Sequence, residues 1–192
     1  MGSPRAAPCQ ELAPEGRTIP VFAPPAVDCR VVVRRQGLLS AVGHDLELRV
    51  TDCSIDVDVA KSLVRARFDP RSLRVVAALE GERRNPEVPA AHDRATIERD
   101  VARLVLEADR YPEVVFESRN LQPVGDGWEL RGALTLHGLT RDLSMTVRRA
   151  GDRLLTEVRL DQRDFDIRPF SALLGALKVR PDVSITLSLP AA

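Results

Sequence analysis

The chain has 192 residues, with 28 Lys and Arg set against 28 Asp and Glu, so its formal net charge is zero. With that balance nothing points to nucleic acid or an anionic membrane surface as a bulk electrostatic partner. With 44% hydrophobic and 29% charged residues the composition is that of a folded domain and not of a disordered chain, and no run approaches the ~20 apolar residues of a membrane-spanning helix. Aromatic residues make up only 4%. An interior built mostly from Leu, Val and Ala fills space less readily than one rich in Phe and Trp, which leaves room for an apolar ligand; complete aliphatic packing is the alternative.

Residues 1–26 are rich in Pro, Ala and Glu and show no periodicity, so they read as a mobile tail, with a short ordered piece expected at Ile19-Pro20-Val21-Phe22. No apolar core of a signal peptide interrupts Arg5, Glu11, Glu15 and Arg17. As written, the sequence reads as cytoplasmic; it would be periplasmic or secreted if the natural start was trimmed. The domain is expected over 27–192. Arg30–Arg35 is a short β-branched strand, and Gly37 and Gly43 mark a turn before "LELRV". There Leu46, Leu48 and Val50 alternate with Glu47 and Arg49. Ile55, Val57 and Val59 alternate with aspartates, and Val64, Ala66 and Phe68 with arginines. A period of two with charge on one face defines a sheet with one wet face. Asp69-Pro70 turns the chain, Leu73–Leu79 is another strand, and 81–89 is a polar loop.

The period then changes. Ile97, Val101, Leu104 and Val105 fall at helical spacing, predicting one main helix over Asp93–Ala108 with His92 or Asp93 at its cap. Pro112 ends it. Four strands follow, Val114–Leu121, Gly127–Leu136, Thr140–Arg149 and Arg153–Leu160, with hairpin turns at Gly125-Asp126-Gly127 and Gly151-Asp152. "IRPFSALLGAL" breaks the alternation as a short helix or turn, and Val183–Leu189 is the last strand. The fold class is all-β with a short helical insert: a closed antiparallel barrel.

Several motifs together carry a family resemblance. They are Leu106 through Tyr111-Pro112, then Phe116 and Ser118, then Gly132, Leu134, Thr135, Leu136, Gly138 and Thr140. Further pieces are Ser72-Leu73, Gly43-His44-Asp45 and Asp164-Phe165-Asp166-Ile167, the last with Asp166 where glycine is usual. In these the chain resembles the YceI-like family of polyisoprenoid-binding, lipocalin-like barrels. The resemblance implies an extended barrel of about eight strands around a long isoprenoid or similar amphiphilic lipid, such as a quinone or quinone precursor. It implies non-catalytic binding for carriage, storage or sequestration. Leu46, Leu48, Phe116, Leu134 and Leu136, on the apolar phase of their strands, then line the channel. Phe165, Phe170 and Leu174 belong to an apolar lid over one mouth, and His44 meets a headgroup there.

The residues themselves offer little chemistry. No Gly-x-Ser-x-Gly elbow or phosphate loop is present, and His44, His92 and His137 show no ligand spacing, so no catalytic residue, metal or cofactor is assigned. Cys9, Cys29 and Cys53 match no zinc pattern or disulfide framework. A Cys29–Cys53 bridge would need their strands to pair, and free thiols are the favoured reading. Two rival functions remain, a small-molecule hydrolase or isomerase using His44 and Asp45, and a dry structural or interaction domain. The expected partner is a lipid, with no nucleic acid and no transmembrane segment; a homodimer stays open.

Overall fold

In the computed structural model the described residues are 21–36, 44–58, 61–81, 83–172 and 177–191. Wherever the sequence alternates, the chain is a strand. In order these are β1 (Val21–Phe22), β2 (Asp28–Gln36), β3 (Asp45–Val50), β4 (Cys53–Asp58), β5 (Leu63–Phe68), β6 (Leu73–Glu80), β7 (Arg83–Asn85), β8 (Val114–Val124), β9 (Gly127–Leu136), β10 (Leu139–Ala150), β11 (Arg153–Asp161), β12 (Ser171–Ala172) and β13 (Leu177–Pro190). All pairings among the described residues are antiparallel. The strands form one sheet in the order β1-β4-β5-β8-β9-β10-β11-β13-β2-β3-β6-β7, with β12 beside β13.

The curl of the sheet follows from its connectivity. β3 and β4 stand near opposite ends of that order, yet only Thr51 and Asp52 link them. So short a link is satisfied only if the sheet wraps round to bring its far strands together. A hydrogen-bonded corner holds the meeting point. Thr51 donates its amide and its hydroxyl to the Ser72 carbonyl at 3.2 and 2.9 Å. The Asp52 amide donates to Ser72 Oγ at 3.0 Å, and the Asp69 amide to the Asp52 carbonyl at 3.0 Å. Above this corner no strand of one edge pairs with the other among the described residues.

The expected full closure is therefore corrected to a curled sheet with a seam. Among the described residues the strand count is thirteen, not about eight. Three of the extra strands, β1, β7 and β12, have only two or three residues, too short to show alternation. β1 lies within the stretch assigned to the tail, β7 within the expected polar loop, and β12 within the segment expected as helix or turn. The last strand begins at Leu177, ahead of the expected Val183, with a register shift between Val179 and Val183.

The helix lies where the period changed. The α-helix α1 spans Ala91–Asp100 and continues as a π-helical stretch, Val101–Val105, shorter than the expected Asp93–Ala108. Its N-cap is Ala90 with no side-chain bond, so neither His92 nor Asp93 caps it. No residue of α1 is buried; the helix is a wall and not a core element. Glu98 anchors it, its Oε1 accepting the amide of Val75 on β6 at 2.8 Å.

Candidate functional site

The inward phase of the strands encloses a cavity of about 860 Å³, partly open to solvent. Aliphatic and aromatic side chains make up most of its wall. Of the residues expected to bind a ligand, Leu46, Leu48, Phe116, Leu134, Leu136, Phe170 and His44 all border it. Leu48, Phe116 and Leu134 are buried, and His44 is exposed. Phe165 does not border the cavity. It is only 3% exposed and packs in the core at the end of a 3₁₀ turn, Gln162–Phe165. Leu174 lies outside the described residues. The segment expected as a lid thus contributes Phe170 to the cavity and Phe165 to the core.

Sequence reading missed the contribution of the helix. Ile97, Val101, Val105 and Leu106 border the cavity, with Val88 and Pro89 from the preceding loop. They cover the side of the barrel where the strands do not close. The helical period was visible, but periodicity alone cannot say whether an apolar stripe faces a packed core or a space. Trp128 also borders the cavity, near the start of β9.

The motif residues mostly hold the fold. Ser72 Oγ, besides accepting the Asp52 amide, donates to the Asp69 carbonyl at 2.7 Å, so it fastens the corner. Ser118 Oγ accepts the Val64 amide at 2.7 Å and ties β8 to β5. A Cβ on Gly132 would sit 2.7 Å from the ring of Phe116 and 2.3 Å from the Glu117 carbonyl, so glycine there lets the two strands and that ring approach. At Gly138, with φ +75°, a Cβ would stand 2.6 Å from the Tyr111 ring. The adjoining His137 ring lies 4.4 Å from that ring, centroid to centroid, and its Nδ1 is bonded to the Phe165 carbonyl at 3.0 Å. The Tyr-Pro and His-Gly motifs therefore clamp the helix exit, the β9–β10 turn and the 3₁₀ turn together. Asp166, where glycine is usual, keeps a left-handed backbone at φ 54°, ψ 22°.

Polar groups at the cavity are few and mostly engaged. Asp45 Oδ1 accepts the Arg35 amide at 2.9 Å and lies 3.8 Å from Arg35 Nε. Gln162 donates to the carbonyls of Arg180 and Pro181. Thr156 is buried, and its hydroxyl has no hydrogen-bond partner among the described residues. Cys29, which borders the cavity, and Cys53 are both free and buried, and their strands β2 and β4 do not pair. Burial pushes the Cys29 thiol up to about 12, reinforced by Cys53 and Asp28, and burial pushes Cys53 up to about 11 with help from Asp52. Both are therefore thiols and poor nucleophiles at neutral pH. Among the described residues no group of three or more His, Cys, Asp or Glu is placed to hold a metal, and no helix is long and apolar enough to cross a membrane.

A curled antiparallel sheet, a helix over its seam and an apolar interior define a lipocalin-like barrel. Comparison with known proteins narrows the class. A family model for the YceI-like domain matches residues 33–191, and the chain belongs to that family. Among solved structures it is similar to BcnA of Burkholderia cenocepacia, at 17% identity and a TM-score of 0.60, over 86% of this chain and 96% of that one. It is also similar to a polyisoprenoid binding domain from Saccharophagus degradans, at 12% identity and a TM-score of 0.56, over 91% and 100% of the two chains. A YceI protein of Campylobacter jejuni aligns at 16% identity and a TM-score of 0.50, over 75% and 82%. At these identities the likeness is one of fold. A comparison with curated proteins finds no match.

Proposed function

We propose that this protein binds a long isoprenoid or similar amphiphilic lipid non-covalently in its barrel, for carriage, storage or sequestration. The observation that carries this reading is a cavity of about 860 Å³ walled mostly by apolar side chains. Such a space gains little from water and much from a hydrocarbon chain, at about 25 cal/mol for each Å² of apolar surface withdrawn from solvent. The name of the Saccharophagus degradans domain, polyisoprenoid binding, agrees with an isoprenoid in particular. Quinones and their precursors are the ligands of this type that we favour.

Support for binding over catalysis comes from the same wall. Of the His44 and Asp45 pair that a hydrolase or isomerase would use, Asp45 is engaged in the strand register, accepting the Arg35 amide and lying near its guanidinium. The buried thiols are not activated. A dry interaction domain would not keep so large an apolar interior unfilled.

The test is native mass spectrometry of the purified full chain, then solvent extraction, on the parent and two variants. A stoichiometric lipid is expected with the parent. Phe170→Asp should lose most of that lipid and keep the fold, since Phe170 is half-buried at the cavity. Leu134→Asp places a carboxylate in the core and should cost about 3–5 kcal/mol of stability. A folded parent that neither retains nor takes up any lipid would defeat the proposal.

A further inference from the structure

The cavity has two unlike regions. The sheet register leads from Trp128 to Val147, from Val147 to Thr156, from Thr156 to Leu187 and from Leu187 to Cys29, one strand at a time. All five residues border the cavity and none carries an ionised group at neutral pH. Arg35 lies six residues beyond Cys29 on β2, and His44 lies just outside β3, whose Val50 pairs with Cys29. At about 3.3 Å per residue both stand some 20 Å along the strands from that row.

This second region is a rim with charges of both signs. Arg34 and Arg35 border it from β2, and Asp93 borders it from α1. Asp45 meets Arg35 there. The placement of Asp93 follows from Leu46 pairing with Ala78, whose amide donates to the carbonyl of Val88, just before α1, at 2.8 Å. Two guanidinium groups thus share the rim with two carboxylates. A phosphate or diphosphate would give up hydration there without a net positive field in return. A neutral oxygen needs only a donor, and Arg35 and His44 can supply one.

The volume sets only the scale of the guest. At about 30 Å³ of liquid volume for a water-sized group, a cavity of 860 Å³ that is partly open to solvent points to a chain on the order of thirty methylene-sized groups. We propose that the barrel holds one single-chain amphiphile of about thirty carbons, its tail end against the Trp128 row and an uncharged, oxygen-bearing head at the rim beside Arg35 and His44. This rests on the lipid-binding reading and adds size, direction and head chemistry to it. The groups that favour the opposite direction are the unpartnered Thr156 hydroxyl in the Trp128 row and two carboxylates that border the cavity away from the rim, Asp69 at the corner beyond Val50 and Asp100 at the end of α1.

The test uses the delipidated full chain and its single tryptophan. Prenyl alcohols of roughly ten, twenty, thirty and forty carbons are titrated, and binding should be tightest near thirty. A thirty-carbon alcohol brominated at its tail end should quench Trp128 emission strongly, and the same alcohol brominated beside the head should not. The diphosphate of that chain should bind about tenfold more weakly. Arg35→Gln should weaken the alcohol about fivefold, the worth of one hydrogen bond, and leave the head-less hydrocarbon unchanged. Stronger quenching by the head-brominated compound reverses the direction and places the head at Thr156. Tighter binding of the diphosphate overturns the neutral head, and no optimum near thirty carbons overturns the size. If no chain of any length or head binds, the lipid-binding reading itself falls.

Discussion

At Asp166 a single backbone conformation decides whether a side chain is tolerated. The residue closes the 3₁₀ turn in the left-handed region, is exposed, and sits where glycine is usual in the motif. Aspartate is among the few residues with a Cβ that enter this region at modest cost. Asp166→Gly should therefore raise stability by only about 0.5 kcal/mol, because the greater freedom of glycine in the unfolded chain offsets part of the relief. Gly138→Ala is the contrasting case, since its Cβ would meet the Tyr111 ring at a positive φ. That change should cost about 2–3 kcal/mol and separate the clamp around His137. Urea unfolding of both variants gives the two signs directly. The motif was legible in the sequence, but its purpose was not. In the sequence Tyr111, Gly132, Gly138 and Ser118 mark the family resemblance without a role, and the packed rings and the seryl hydrogen bonds show that they brace the barrel.

Among the elements, α1 is the one whose anchoring is most local. It buries no residue of its own, and the amide of Val75 on the seam edge of β6 finds its acceptor in Glu98 Oε1. Glu98→Ala leaves that amide without a protein partner and should cost about 1–2 kcal/mol. Amide exchange at Val75 should quicken well before exchange in β9 or β10, and an unchanged rate there would mean that the helix is held by its apolar side alone. The helix could be read from the change of period at Asp93, and the long strands β8 to β11 from their alternation and their Gly-containing turns. The π-helical continuation could not, because it depends on how Val101, Val105 and Leu106 are drawn toward the cavity, with the Leu106 amide reaching back to the Val101 carbonyl. The core and the cavity wall were likewise indistinguishable in advance. Phe165 and Phe116 carry the same apolar signal, yet one is enclosed by the core and the other borders open space.

For the molecule as a whole, a barrel with a large unfilled interior gives up dispersion contacts that a guest would restore. Delipidated protein should therefore be less stable than loaded protein, by about 2.7 kcal/mol when free ligand exceeds its dissociation constant a hundredfold. Paired thermal melts with and without a thirty-carbon prenyl alcohol measure this, and coincident midpoints would show that the interior is indifferent to its contents. The seam has another consequence. Among the described residues the curled sheet keeps two outermost strands, each a template on which a second chain could add its own backbone and propagate into fibrils. Here those strands are the shortest in the main order. β1 has two residues and runs into Pro24-Pro25, while β7 has three, two of them Arg83 and Arg84, and runs into Pro86. Proline withholds the amide that the next strand would need, and the guanidinium groups repel their own copies. Among the described residues the opening that admits a helix and a cavity is thus bordered by one edge too brief, and another too brief and too charged, to seed aggregation.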